Sequence, residues 1–232
     1  MKRGIILLFL WVQSAAAAAV TGNVVLMNPG GSVKKADNAG AVVWLEPVGT
    51  TPAPAPGKTA TIDQRNQTFL PHVLAVQVGT AVDFPNSDPI FHNAFSNYEG
   101  QVFDLQLYAP KTSRRVVFRR PGVVHLFCNV HENMSAVIAV LTTPYFAVTG
   151  ADGRFQIQVP AGNYRLKVWH ERGQPESLAR LEQQVVIGPN DLRLQEIQIL
   201  QGGTTVAAHQ NKYGQQYFSA SEAHVYYPGG RH

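Results

Sequence analysis

From residue 21 onward the apolar positions alternate with polar ones or gather in short β-branched runs, the pattern of strands rather than helices. Residues 21–27 and 41–45 are two such runs, separated by the turn-forming stretch NPGGSVKKADNAG. The next segment, TTPAPAPGKTATIDQ, has no apolar face, so its Pro/Ala-rich part (50–60) is predicted as an exposed, semi-extended loop. Further strands are predicted at 69–74, 76–78, 80–84, 115–118, 123–127 and 136–141. Asn86, Ser87, Asp88 and Pro89 make a turn just before Phe91 and His92. Residues 98–110 are less regular and are expected to cover one side of the fold. No convincing helical period runs for about ten residues anywhere before position 175.

Thr142-Thr143-Pro144 interrupts this pattern, and a second β unit follows. Residues 145–149 and 154–159 flank Gly150-Ala151-Asp152-Gly153, a strong hairpin signal. Pro160-Ala161-Gly162-Asn163 turns into the strictly alternating strand 164–170. Residues 177–183 read as a loop or a short helix, and strands at 181–187 and 192–200 complete a small antiparallel sandwich. The predicted organisation is a first domain over 20–143, a second over 144–200, and a polar tail over 201–232. The tail is expected to wrap on the surface or be disordered.

The N-terminus changes the picture of where the chain works. Lys2 and Arg3, the apolar run 5–12 and the alanines 15–19 read as a secretory signal peptide over 1–19. The apolar run is shorter than the roughly 20 residues a bilayer span needs, so no membrane span is expected after cleavage. An exported, periplasmic protein is the expectation. Without Lys2 and Arg3, 17 basic side chains face 15 acidic ones, a net charge near +2 that argues against a nucleic-acid partner. Arg114-Arg115 and Arg119-Arg120 are either a solvated strand face or a docking patch for an acidic partner.

Cysteine usage sharpens the reading further. An exported chain with 1 Cys cannot form an internal disulfide, and an idle thiol in an oxidising compartment is a liability. Metal ligation both uses and protects it. Cys128, His131 and Met134 fall within one stretch, Phe127-Cys128-Asn129-Val130-His131-Glu132-Asn133-Met134, with a predicted strand on each side. His92, which follows an earlier strand and turn, can supply the fourth ligand. Two imidazoles, a thiolate and a weak thioether form the trigonal set with a long axial ligand that suits one copper ion shuttling between Cu(I) and Cu(II).

These residues resemble the plastocyanin-like cupredoxins. The match rests on His92-Asn93 after DFPNSDP, and on Gly122 to Met134 with Cys128, His131 and Met134 on one loop. It is closest over 65–142, looser over 21–64, and resembles bacterial periplasmic proteins of methylamine-utilisation type. The resemblance implies an all-β chain with a Greek-key cupredoxin barrel, and His92, Cys128, His131 and Met134 as copper ligands. It also implies Asn93 as a hydrogen-bonding tie between the His92 strand and the cysteine loop. One departure stands: only two residues separate His131 from Met134, closer than in plastocyanin, which leaves Glu132 and a backbone carbonyl as other axial candidates. The second unit resembles carboxypeptidase regulatory-like, transthyretin-like β-sandwich modules, through Asp152-Gly153-Arg154-Phe155 and Pro160-Ala161-Gly162-Asn163-Tyr164.

Phe91, Phe95 and Phe127 are expected either to supply a dry shell around the metal or to be plain core. His72 is expected to be a packed or hydrogen-bonded residue, and His125 to face away from Cys128 by strand alternation. His170 is a candidate for the domain interface, and His209, His224 and His232 are scattered along the tail. Cysteine-nucleophile catalysis is disfavoured, because no glycine-rich oxyanion motif accompanies Cys128 and His131. The function expected is therefore non-enzymatic electron transfer with a redox partner such as a cytochrome or a periplasmic oxidoreductase. Copper delivery or storage, and an envelope binding module with structural copper, are the alternatives.

Overall fold

The fold is a computed structural model describing residues 17–30, 37–53, 57–97, 100–202, 211–215 and 217. The alternating runs become strands, as their composition dictates. Up to the end of the first unit these are β1 (Ala17–Met27), β2 (Val42–Pro47), β3 (Thr59–Thr61), β4 (Asp63–Arg65), β5 (Thr68–Leu70), β6 (Val73–Gln77), β7 (Ala81–Pro85), β8 (Phe95–Ser96), β9 (Phe103–Asp104), β10 (Ser113–Val117), β11 (Gly122–Phe127) and β12 (Ser135–Leu141). Then follow β13 (Phe146–Val148), β14 (Arg154–Pro160), β15 (Gly162–Trp169), the short helix α1 (Pro175–Arg180), β16 (Gln183–Ile187), β17 (Leu192–Arg193) and β18 (Ile197–Leu200). The expected single strand 69–74 is two, because Pro71 has no N–H to continue a ladder.

All-β architecture is thus as predicted, but the closed barrel is not. The site-bearing unit is a sandwich of two open sheets, ordered β10-β7-β3 and β6-β12-β11-β8-β9, with β4-β5 as a small hairpin. Ile62, Val82, Phe84 and Phe118 on one side meet Val124, Leu126, Ala136, Ile138 and Val140 on the other. Burying these side chains is worth about 1.5–3 kcal/mol each for the larger ones, before chain entropy is set against it.

The domain boundaries also need correcting. β1 and β2, expected with the first domain, hydrogen-bond into the second: β1 pairs with β14, β17 and β18, and β2 lies between β13 and β15. Val20, Val24 and Leu26 of β1 and Val43 and Leu45 of β2 fill a core with Ile157, Val159, Leu166 and Ile199. A β-branched run states that a strand forms but not with whom, and here the apolar face missing from residues 144–200 is supplied by the N-terminal strands. Gly153 locks this union: its φ is 75°, and its carbonyl accepts from Val24 N at 2.8 Å. A Cβ there would sit 2.1 Å from Val24 O. The expected signal peptide lies largely outside the described residues, yet Ala17, Ala18 and Ala19 are ladder partners of Pro160, Val159 and Gln158. A cut after Ala19 would remove those three from the ladder. No helix among the described residues is long and apolar enough to cross a membrane.

A third apolar cluster joins the sandwiches: Val42 of β2 packs with Val73, Ala75, Ala139 and Leu141, flanked by Trp44, Phe146 and Trp169. His170, buried at the same joint, is satisfied as a neutral ring: Nε2 donates to Ala39 O at 3.1 Å, and Nδ1 accepts from Arg172 N at 3.0 Å. His72 is hydrogen-bonded, as expected, with both ring nitrogens facing acceptors: Glu171 Oε2 at 2.7 Å and Ser135 O at 3.1 Å. The Glu171 carboxylate therefore raises the His72 pKa, and His72, with His170 and Arg172 nearby, lowers that of Glu171.

This pair predicts a pH dependence. The contribution of His72 is complete below its ordinary value of 6.5 and is lost as pH rises through the raised one. The contribution of Glu171 is complete above its ordinary 4.5 and is lost as pH falls through the lowered one. The joint is steadied most between about pH 4.5 and 6.5. Glu171→Gln should therefore lower the thermal midpoint more at pH 5.5 than at pH 8.5. The difference should stay below about 1 kcal/mol, because the His72 side chain is 45% exposed and screened by water. An equal loss at both pH values would disprove the linkage.

Candidate metal centre

The ladder between β11 and β12 ends at Phe127↔Ser135, leaving residues 128–134 as a tight connecting loop. Two backbone bonds close it: Cys128 N donates to Met134 O at 3.0 Å and Met134 N to His131 O at 3.2 Å. Alternation along β11 carries Val124, Leu126 and then Cys128 into the sandwich core, so the thiol is fully buried. His92 reaches the same point from the other direction. Its backbone is bridged to Tyr108 (Tyr108 N to His92 O, 2.9 Å), and its ring is completely enclosed.

Three donors converge. Cys128 Sγ lies 3.8 Å from His92 Nδ1 and 3.6 Å from His131 Nδ1, and the ligand atoms of the three residues all fall within 4.8 Å of one another. A first-row metal bonded at about 2.0–2.1 Å to nitrogen and about 2.3 Å to sulfur, at tetrahedral to trigonal angles, separates such donors by about 3.6–3.8 Å. The residues fit a metal ion, and His92, Cys128 and His131 can hold one.

The other nitrogen of His92 explains how the ring is aimed. Nε2 donates to Asp88 Oδ2 at 2.8 Å, which leaves the Nδ1 lone pair free toward the thiol. Asp88 also accepts from Asn66 N at 2.6 Å and Gln67 N at 2.8 Å. Both donors sit in the β4–β5 turn at φ of 53° and 54°. Burial acts to raise the Asp88 pKa, but the Gln67 and Asn66 amides and His92 outweigh it and keep the carboxylate charged. Asp88 was legible as a turn residue only; the missed signal is a carboxylate four residues before a candidate histidine ligand.

Cys128 carries opposing influences. Burial pushes its thiol pKa up, while the backbone N–H groups of Asn93, Val130 and His131 favour the thiolate. A metal cation held by these residues would supply the remaining compensation such a buried thiolate needs. Burial and the neighbouring His92 lower the His131 pKa, which keeps its ring neutral. Beside its backbone N–H toward Cys128, Asn93 offers its side-chain Oδ1, which accepts from Asn129 N at 2.6 Å and joins the His92 segment to the cysteine loop. Met134 is 1% exposed and packs in the same apolar cluster as Cys128.

Of the two roles open to the phenylalanines, Phe95 and Phe127 take that of plain core. Phe95 and Phe127 pair with each other, ring centroids 5.9 Å apart, on the opposite side of β11 from Cys128, and His125 stacks on Phe127 there. The apolar cluster that contains Cys128 and Met134 also contains Phe69, Phe84, Ala94, Tyr108 and Leu126. Phe91 and Val130, chain neighbours of His92 and His131, are exposed to solvent. Of the arginine pairs, Arg115 is bound bidentately to Asp83 at 2.6 and 2.8 Å, and Arg114 lies over the Tyr108 ring. His209, His224 and His232 lie outside the described residues. The described part of the tail sits against the metal loop: Tyr217 Oη donates to Cys128 O at 2.7 Å and Lys212 N to Asn129 Oδ1 at 2.9 Å. No local pattern in the sequence signals those contacts.

Against known proteins, no family model matches the chain. Over 59 residues it is 41% identical to the methylamine utilization protein MauL of Methylorubrum extorquens. That stretch is 25% of this chain and 52% of the relative, so the chain spans about half the length of the curated relative it matches. Among solved structures, the Cu-containing nitrite reductase NirK of Thermus scotoductus aligns at TM-score 0.36 and 24% identity, over 42% of this chain and 25% of that one. A purple cupredoxin of Nitrosopumilus maritimus aligns at 0.32 and 24%, over 36% and 99%. A reduced amicyanin variant aligns at 0.35 and 18%, over 40% and 97%. At these TM-scores the superpositions carry no argument of their own.

Proposed function

We propose that this chain is an exported, periplasmic, mononuclear type 1 copper protein of cupredoxin kind that transfers electrons and catalyses no reaction of its own. The observation that carries the reading is the convergence of His92 Nδ1, His131 Nδ1 and Cys128 Sγ, with Sγ 3.8 and 3.6 Å from the two nitrogens, on a wholly buried thiol. One copper ion, when bound, supplies a one-electron Cu(I)/Cu(II) couple. His92 is locked in the ligating tautomer by Asp88, and Asn93 ties its strand to the loop. Met134 is the weak fourth ligand in this reading. Held from several sides, the donors change position little between oxidation states, which keeps reorganisation small.

His131 is the partly exposed ligand and the edge through which electrons pass, with Val130 at 46% and Phe91 at 39% exposure beside the site. The partner is a redox protein such as a cytochrome or a periplasmic oxidoreductase. The relative that the chain matches over about half of that relative's length is named for methylamine utilization. Copper delivery or storage uses the same ligands but favours exposed, exchangeable ones; full burial of Cys128 and His92 supports a resident ion instead.

Titration with Cu(II) tests the proposal. An intense visible thiolate-to-copper absorption, a type 1 paramagnetic-resonance spectrum and a reversible potential are expected. A colourless protein that binds only Cu(I) and passes it to a chelator would establish the delivery reading in its place. Met134→Leu is expected to keep the colour while raising the potential and altering the spectrum, because a thioether donor is exchanged for an alkyl group of similar size. An unchanged spectrum and potential would remove Met134 from the coordination sphere.

A further inference from the structure

The peptide unit between Cys128 and Asn129 is gripped at both edges. Its N–H, from Asn129, donates to Asn93 Oδ1 at 2.6 Å, and its carbonyl, from Cys128, accepts from Tyr217 Oη at 2.7 Å. A peptide plane fixed on both sides fixes ψ of Cys128 and so the direction in which Cα presents the thiol. The residue making the second grip comes from the polar tail, 89 positions along the chain.

That stretch of tail is itself built. Asn211, 7% exposed, accepts on Oδ1 from Tyr213 N at 2.9 Å and Gln215 N at 3.0 Å. Asn211 N donates to Gln215 O and Gly214 N to Asn211 O, each at 2.9 Å, closing a turn. Lys212 fastens the turn to the site-bearing sandwich. Its N–H donates to Asn129 Oδ1 at 2.9 Å, and its ammonium reaches Asp104 Oδ2 at 2.8 Å and Gln106 Oε1 at 3.2 Å. The Lys212 side chain is only 16% exposed, and Asp104 keeps its carboxylate charged against burial largely through this contact. A loosely trailing terminus has no reason to bury an asparagine and a lysine so fully.

We infer that residues 211–215 and 217 form a clasp on loop 128–134, anchored by Lys212, in which Tyr217 is a positioning residue for Cys128. The clasp completes the frame that Asn93 begins: one grip comes from the His92 strand, the other from the tail. It also covers the loop on the side where the Cys128 carbonyl would otherwise turn to water. The donated hydroxyl places the positive end of a dipole beside the peptide of the thiolate ligand, which favours the less positively charged, reduced centre. The inference rests on the reading of Cys128 as a metal ligand, but the grip itself belongs to the metal-free chain.

The test uses the full chain. In metal-free protein, the rate at which Cys128 reacts with a neutral disulfide reagent should rise roughly five-fold in Tyr217→Phe, the ratio expected for loss of one hydrogen bond. It should rise at least as much in Asn211→Ala, which opens the turn, while β11 and β12 amides keep their protection from hydrogen exchange. In copper-loaded protein, Tyr217→Phe should shift the charge-transfer band and lower the potential. Unchanged thiol rates in both variants overturn the clasp, and the isosteric Tyr217→Phe decides should Asn211→Ala fail to fold. A faster thiol with an unmoved band and potential reduces Tyr217 to a cover and overturns its positioning role. A protein whose thiol rate responds but which takes up no copper keeps the clasp and removes the copper reading.

Discussion

Cys128→Ser should abolish entirely the visible absorption and the reversible one-electron couple expected of the proposed copper site, while the protein stays folded. The thiolate is the only soft anionic donor available, since the chain has 1 Cys, and a neutral hydroxyl is a poor ligand for either copper state. The fold survives because serine is smaller than the space it enters and is not left unpaired. The N–H groups of Asn93, Val130 and His131 that favour the thiolate can donate to the hydroxyl instead. The expected cost to metal-free stability is about 1 kcal/mol, against a complete loss of colour. Denaturant unfolding of both metal-free proteins, beside their spectra with Cu(II), checks the two halves together. A variant that unfolds outright would favour a structural role for this loop, and one that keeps the colour would exclude Cys128 as a ligand.

How much of this was readable without coordinates follows from the physics of each part. Strand positions were legible because alternation is a local property: the predicted 123–127 and 136–141 appear as Gly122–Phe127 and Ser135–Leu141. The cysteine loop was legible because its residue types are scarce and sit between those strands. Strand partners were not, because pairing is decided by which apolar face lacks a cover. β1 and β2 accordingly left the unit they precede and completed the one that follows it, more than a hundred residues later in the chain, as in Val43↔Ala147 and Val20↔Ile157. Barrel closure failed for the same reason, since β10 pairs with β7 and not with β11. For Phe127, where shell and plain core were both open, strand alternation decides for core: neighbours on a strand face opposite ways, so the residue beside Cys128 turns from it.

The supports of the site were the least legible part. Lys212 and Tyr217 act through hydrogen bonds to groups distant in the chain, and Asp88 is itself fixed by the distant Asn66 and Gln67 amides; such bonds leave no periodicity. The site thus draws on four separate stretches: the β4–β5 turn, the segment from Asp88 to Asn93, loop 128–134 and the tail. Among the described residues the second sandwich adds no ligand; through the joint cluster it packs on β6 and β12, and β12 pairs with β11, the strand that leads into Cys128. A metal centre held this way is rigid because its donors are fixed by unlike elements that cannot move together.

Asp88→Asn should lower copper affinity by about 10- to 100-fold, the usual cost of losing a group that orients a histidine ligand. The aspartate is acceptor-only and receives three donors: Asn66 N, Gln67 N and His92 Nε2. An asparagine of the same shape has one oxygen and one NH2. Whichever way it turns, an amide donor meets a donor. If that donor faces His92, the ring can accept only by carrying its proton on Nδ1, the atom that must ligate. If the NH2 takes the place of Oδ1 instead, the Asn66 amide loses a charge-assisted bond, worth about 1.5–3 kcal/mol to the metal-free fold, while Gln67 keeps the oxygen it shares with His92. Asp88→Glu keeps the charge but lengthens the side chain by a methylene in a closed pocket, and should fall between the two. Competition with a copper chelator measures the affinity, and denaturant unfolding of metal-free protein measures the stability. Unaltered affinity in Asp88→Asn would show that His92 is oriented by its packing alone, with the carboxylate serving only to close the β4–β5 turn.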